Sequence, residues 1–485
     1  MAATKAKLFV SQRHTCLCLR FNRQIRCQVP ILFFQSKIRY KFYVMSAQKS
    51  PPPPERLTVG LDIGTTKIVM MIGKLNEHGK IEIVGSGTTP STGVQRGMVT
   101  NIVHTIHAIK KAKEMAEDAA QVEVQQVIVG IAGQHIRSYH NTSVRMRGQD
   151  ADIITEADIH DLTAQMQKMA LAPGESIIDV IPQNFVVDDL PEIKDPIGMQ
   201  GARIEGNYHI ITGQVNPAKN IYRCVEESGM KVLDLVLEPL ASSEAVLSEE
   251  EKEAGVALVD IGGGTTDVAI FQDGIIRHTA VIPFGGNTIT RDIMTGCQLL
   301  QRYSEILKIK HGYAIPSQEM LNRAVTIPGV QGGASKTISV SNLANIIKAR
   351  MEEILECVHA EIRNSGFSHH LGAGIVLTGG GSQLRHIRQL TSYVTGIDAR
   401  IGLPNSHVHG APDDLLAHPK YATSVGLMMM GFRKKYQIAA EPTHIGKEKP
   451  KGKAKAADSF KPSFLDIIKK QFNSILEDDT NDTMH

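Results

Sequence analysis

The sequence predicts an α/β protein built from two related lobes, interrupted by an inserted α/β subdomain and followed by an amphipathic helix. Three observations carry this. A strand–glycine turn–strand pattern over residues 256–270 recurs over residues 57–70. A third apolar strand runs into a glycine turn over residues 373–384. Beyond a polar, Lys-rich stretch, residues 463–476 then set their apolar side chains at helical spacing on one face.

Length and composition bound the reading. A chain of 485 residues can hold two or more domains, each with its own core. Its 42% hydrophobic and 21% charged content is that of a globular protein. No run of about 18 apolar residues occurs, so no membrane-crossing helix is expected. Residues 1–44 carry nine Lys/Arg and no acid. The remainder is mildly acidic, which argues against nucleic acid as a partner. Cys16, Cys18, Cys27, Cys224, Cys297 and Cys357 are too scattered for a disulfide framework or a zinc site. Residues 1–56 form a basic, Pro-rich extension in which Pro51–Pro54 make a stiff spacer. Met45 opens more ordinary sequence, so residues 1–44 are expected to derive from an upstream start codon.

The motif at 256–270 explains itself chemically. Residues 256–261 are apolar enough for a buried strand. Gly262, Gly263 and Gly264 let the backbone turn sharply and approach a ligand. Successive N–H groups in such a turn suit phosphate. Asp260 and Asp267 bracket the turn, and an acid beside a phosphate loop serves a hydrated Mg²⁺. Asp62-Ile63-Gly64-Thr65-Thr66-Lys67 repeats the pattern about 200 residues earlier. One glycine hairpin is weak evidence, but two matched hairpins imply two related subdomains facing one nucleotide.

The paired hairpins resemble the phosphate-1 and phosphate-2 motifs of the actin/Hsp70/sugar-kinase superfamily. Residues 85–95 followed by Arg96-Gly97-Met98-Val99 resemble the bacterial FtsA family of cell-division proteins, over roughly residues 57–432. The resemblance implies an actin-like two-lobe ATPase fold of duplicated RNase H-like subdomains, with ATP and Mg²⁺ as cofactors. Asp62 and Asp260 would serve Mg²⁺ through water. Gly64, Thr65, Thr66, Lys67 and Gly262, Gly263, Gly264, Thr265, Thr266 would hold phosphates. Glu305 and Lys308 would border the adenine, and Gly379, Gly380 and Gly381 would face the nucleoside. Arg350, with Glu353 nearby, would receive the C-terminal tail of FtsZ. Self-association into filaments and contacts with other division proteins would run through the inserted subdomain, on the cytoplasmic face of the inner membrane.

In chain order, residues 57–88 and 172–236 form the first lobe's core, with 89–171 as the insert. Ile102–Ala120 reads as a helix capped by Asn101, residues 124–132 as a strand, and 156–169 as a helix capped by Thr155. His135, His140 and His160 lack metal-ligand spacing and read as surface or turn residues. Residues 237–300 and 370–432 form the second lobe's core, with 301–369 as its small subdomain. Val340–Asn364 reads as a long amphipathic helix with Leu343, Ile346, Ile347, Met351, Ile354, Leu355 and Val358 on its apolar stripe. No residue stands out as positioning a hydrolytic water. Asn216, Pro217 and Lys219 are unsuitable and Gln183 has no clear place, so ATP is expected to turn over slowly and to act as a conformational ligand.

Residues 433–462 lack periodicity and read as a disordered linker. Phe464, Leu465, Ile467, Ile468, Phe472, Ile475 and Leu476 then share one helical face, flanked by Lys469 and Lys470. Such a helix, isolated by a linker, suits an anionic membrane surface. The acidic residues of 477–485 weaken that attraction, so attachment is expected to need several protomers together. The alternative reading is a sugar-kinase-like phosphotransferase on the same fold. It needs a catalytic base and a small-molecule pocket that the sequence does not display.

Overall fold

The strand Leu57–Ile63 is buried along nearly its whole length, and so is Val256–Ile261. Continuous Val/Ile/Leu runs of this kind belong in sheets covered on both faces. Our computed structural model describes residues 57–440 apart from 77–79, 149–152, 330–333, 405–407 and 410–415, with a separate antiparallel pair at Leu8–Phe9 and Cys18–Leu19. The expected helix at 463–476, with Phe464 to Leu476 on its face, the acidic run after it and the suggested start at Met45 lie outside the described residues.

The two large sheets repeat one topology. In the first, Leu57–Ile63 pairs antiparallel with Lys67–Leu75, which pairs antiparallel with Ile81–Pro90. On its other side it runs parallel to Gln126–Ile131, which runs parallel to Lys231–Leu237. In the second, Val256–Ile261 has Thr266–Gln272 and then Ile275–Ile282 on its antiparallel side. Ile375–Thr378 and then Ala399–Ile401 lie on its parallel side. The duplication expected from the paired hairpins is therefore present in the whole sheet. Each glycine turn joins the first two strands of its lobe.

Helices Ile102–Ala120 and Val215–Glu226 cover the first sheet, burying Ile109, Ala112, Ala116, Ile221 and Val225. Asn101 caps the former by accepting from the His104 N–H (3.0 Å). Val340–Asn364 serves the second lobe; Leu343, Ile347, Met351, Ile354, Leu355 and Val358 of its stripe are wholly buried and Ile346 is partly so. Between the two sheets lies a further core, joining Val69 and Met71 of one lobe to Leu258 and Ala269 of the other through Val425 and Met428.

The inserted subdomain is not where the sequence suggested. Helix Ile102–Ala120 and strand Gln126–Ile131 belong to the first lobe, not to an insert at 89–171. The separate four-stranded sheet comprises Arg137–Met146, Glu175–Val187, Leu190–Ile193 and Arg203–Gln214, with helix Glu156–Met166 packed on it around Leu162, Ile204 and Tyr208. An apolar strand such as 126–131 reads the same in either sheet; its parallel partner, Lys231–Leu237, lies about a hundred residues on. This sheet rests against the edge strand of the second lobe. Ser138 donates to the Thr279 carbonyl (3.0 Å) and Gln183 to the Ile276 carbonyl (2.9 Å). Gln183 is thus a structural pin, remote from any hydrolytic chemistry. His135, expected at the surface or in a turn, sits in a turn but is buried, and burial lowers its pKa to about 4.

Helix Glu238–Val246 and helix Ala422–Ala440 cross between the lobes. The latter continues past Phe432 into what read as linker, and Arg433 pairs with Glu244 (2.6 Å). The crossing requires glycine. A Cβ on Gly426 would stand 1.7 Å from the Ala241 carbonyl oxygen. Gly426→Val should therefore destabilise the chain by about 3 kcal/mol or more, read as a lowered denaturation midpoint. An unchanged midpoint would show that the helices are not in contact there.

Candidate functional site in the interlobe cleft

Where the two glycine turns meet, a cleft of about 410 Å³ opens between the lobes. The turns touch. A Cβ on Gly263 would lie 2.3 Å from Thr66 Cγ2, and one on Gly264 would lie 2.6 Å from Thr65 Oγ1. Only bare backbone allows this approach. Gly64, Thr65, Thr66, Lys67, Gly262, Gly263, Gly264, Thr265, Gly379, Gly380, Gly381, Glu305 and Lys308 line the cleft with Asp62 and Asp260. The sequence-predicted residues are thus brought together, with one correction. Thr266 is fully buried and donates its hydroxyl to the Phe284 carbonyl (2.8 Å), so it braces the turn from behind.

Four carboxyls converge at the cleft floor: Asp62, Glu238, Asp260 and Asp267. Asp260 and Asp267 are cross-strand neighbours, so the hairpin register alone sets them side by side. Burial, then the nearby Asp260, pushes Asp267 up to about 8. Burial also raises Asp260, opposed by hydrogen bonds from Ser242 (2.7 Å) and Thr423 (3.2 Å). Glu238 is raised well above the ordinary carboxyl value, first by burial and then by Asp62, Asp267 and Asp260. Lys67 is the cation close by, at 3.3 Å from Asp62.

Mg²⁺ fits this setting. Asp267 Oδ1 is buried without a hydrogen-bond partner, and crowded carboxyls of raised pKa are what a divalent cation relieves. Among the described residues no three His, Cys, Asp or Glu side chains converge closely enough to ligate a metal directly. A hydrated Mg²⁺ held through water by Asp62 and Asp260 matches that arrangement.

The connecting helices reach these acids. Ser424 donates to Asp62 (3.0 Å), while Ser242 and Thr423 both donate to Asp260. Each lobe's aspartate is therefore held by a helix at the hinge. Sequence reasoning missed Ser242, Thr423, Ser424 and Glu238. Residues 238–246 do resemble the superfamily's first connecting helix, and that resemblance could have flagged Glu238 at its first turn.

At the other end of the cleft the surface turns apolar. Ile309 is 72% exposed and lines the cleft with Leu384 and Gly312. Lys308 bonds Glu305 (2.8 Å), the Gly286 carbonyl (2.8 Å) and Thr290 (2.8 Å). With only 12% of its side chain exposed, Lys308 is part of the wall and no loose surface pair. Burial lowers its pKa, and Glu305 opposes that. Arg350 lies elsewhere, on helix Val340–Asn364. Asp292 holds it in a bidentate pair (2.6 and 3.2 Å), and Glu353 contacts it as well.

Duplicated sheets, paired glycine turns and a cleft crossed by two hinge helices define an actin-like two-lobe protein. Solved structures agree on the fold. The chain resembles the PilM–PilN type IV pilus biogenesis complex (TM-score 0.58, 15% identity, covering 77% of this chain and 98% of that one). It also resembles MreB5 of Spiroplasma citri bound to ADP (TM-score 0.50, 14% identity, 80% and 100% covered). Sequence relatives are more specific. "Cell division protein FtsA" of Pseudomonas aeruginosa is 39% identical over 380 residues, covering 78% of this chain and 90% of that one. FtsA of Neisseria meningitidis is 40% identical over 369 residues (76% and 88%), and that of Escherichia coli K12 is 34% identical over 383 (78% and 90%). The family model "Cell division protein FtsA" matches residues 257–426, and "SHS2 domain inserted in FTSA" matches 133–212, which coincides with the separate four-stranded sheet. The chain belongs to the FtsA family and is an actin-like cell-division protein.

Proposed function

We propose that the chain binds Mg·ATP in the interlobe cleft, assembles into filaments on the cytoplasmic face of the inner membrane at the division site, and tethers FtsZ there. The observation that carries the nucleotide part is the contact of two glycine turns over a floor of crowded carboxyls. In this reading Lys67 and the N–H groups of both turns hold phosphates. Ile309 and Leu384 cover the base beside Glu305 and Lys308, and the Gly379 turn meets the ribose. Mg²⁺ would supply charge neutralisation between the acids and the phosphates. That MreB5 of Spiroplasma citri, which shares the fold, is bound to ADP supports the class of ligand.

Turnover is expected to be slow. Glu238 lines the cleft, yet its surroundings favour the protonated form, which is a poor base. Nucleotide then acts chiefly through the hinge, because Ser242, Thr423 and Ser424 tie both aspartates to the helices joining the lobes.

FtsZ's C-terminal tail is assigned to the surface around Arg350 and Glu353. Since Asp292 already occupies the guanidinium, an incoming acidic tail would have to share or exchange it. The inserted subdomain is assigned to self-association and to other division proteins. Membrane attachment is assigned to the 463–476 face. No described helix is long and apolar enough to cross a bilayer. Co-sedimentation with anionic vesicles tests the tether: the intact chain should pellet and a chain ending at Phe460 should stay in solution. Equal pelleting would remove the tether role and reopen the phosphotransferase reading.

A further inference from the structure

A second cavity, of about 520 Å³, lies against the other side of the phosphate turns. It shares Thr65, Gly263, Gly264 and Asn287 with the nucleotide cleft as a common wall. Arg96 enters it from the first lobe and Arg291 from helix Gly286–Cys297 of the second. Gln95, Gln134, Asn287 and Gln301 add amide groups, and no Asp or Glu lines it. Among the described residues neither guanidinium has a hydrogen-bond or ion-pair partner. Asp292, next to Arg291, is committed to Arg350.

The backbone at Arg96 is a second, independent sign. Val94–Gln95 and Met98–Val99 form a hairpin whose two-residue turn is Arg96-Gly97, with φ of 48° and 76°. Positive φ at both central positions is the type I′ turn, which favours Asn or Gly. An arginine in the first position is strained, and strain of this kind collects at functional sites. The turn also packs tightly. A Cβ on Gly264 would come within 2.9 Å of Arg96 Cα, and the Gly97 N–H donates to Thr65 Oγ1 (3.2 Å). The hairpin that carries Arg96 therefore touches both phosphate turns.

We propose that this cavity is an oxyanion site, separate from the nucleotide cleft, which takes a phosphate group between Arg96 and Arg291. Two guanidinium groups with no acid beside them, ringed by amide donors, match that ligand class. Because the two arginines stand on different lobes, a bound oxyanion links the lobes and is read by both phosphate turns. The site does not require the neighbouring cleft to hold a nucleotide.

The test is equilibrium dialysis of radiolabelled inorganic phosphate against the full chain, with Arg96→Ala, Arg291→Ala and, in the neighbouring cleft, Lys67→Ala. Each arginine variant should weaken phosphate binding by about tenfold to a hundredfold, the loss expected for a charge-assisted contact. Lys67→Ala should remove only phosphate held in the nucleotide cleft and leave the saturable component that the arginine variants remove. Both arginines are exposed, so denaturation midpoints should not move. Wild-type phosphate binding in both arginine variants, or loss in Lys67→Ala alone, would assign the anion to the phosphate turns and overturn the proposal. No phosphate bound by the wild-type chain would overturn it as well.

Discussion

Gly379→Ala is expected to abolish nucleotide binding and to destabilise the chain, whereas Gly380→Ala, one residue on, should leave stability unchanged. Gly379 has φ +81°, which costs a residue with a Cβ about 1 kcal/mol or more. The new methyl would also stand 2.2 Å from Asp260 Oδ1 and 2.7 Å from the Ile261 carbonyl oxygen. Those atoms belong to a fully packed strand, so Asp260 would have to move. Its carboxylate would lose the register with Ser242 and Thr423 that aims it into the cleft. Overpacking of this kind adds about 1–3 kcal/mol. A Cβ on Gly380 meets nothing within 4 Å. The pair is read by chemical denaturation and by ATP titration. Equal stability loss in both variants would mean that the third glycine motif does not hold this geometry.

The carboxyl cluster gives the second large effect. In metal-free solution Asp267 titrates near 8 when folded and near its ordinary 3.8 when unfolded. Below both values each state carries the proton and the term vanishes. As pH rises past the lower value the unfolded state releases its proton while the folded state keeps it. Stability therefore falls between about pH 4 and pH 8, and Glu238 acts in the same direction. The loss is of order a few kcal/mol. Mg²⁺ with nucleotide should recover most of it, and Asp267→Asn should make the metal-free profile shallower, leaving the fall that Glu238 contributes. A metal-free chain whose midpoint is level from pH 5 to pH 8 would contradict the cluster as described.

Much of the site is legible in the sequence. Glycine runs flanked by apolar strands announce close backbone approach, and Gly262–Gly264, Gly64 and Gly379–Gly381 all lie in the cleft. Helix Val340–Asn364 was legible to its ends, since its apolar period is unbroken and Ser339 caps it (3.4 Å to the Asn342 N–H). Two things were not. Local periodicity does not say which sheet a strand joins, so Gln126–Ile131 went to the wrong subdomain. Ser242, Thr423, Ser424 and Glu238 are ordinary polar residues on helices, and only the crossing of those helices brings them to the aspartates. Thr266 failed for the opposite reason. It sits inside a matching motif, but strand alternation turns its hydroxyl away from the ligand side.

The most direct test is a calorimetric titration of ATP into the full chain, with and without Mg²⁺, repeated on Asp260→Ala. Saturable binding of one ATP per chain that needs Mg²⁺ and is lost in Asp260→Ala is the expected result. No saturable heat up to millimolar ATP, or binding indifferent to both Mg²⁺ and Asp260, would contradict the cleft as a Mg·ATP site.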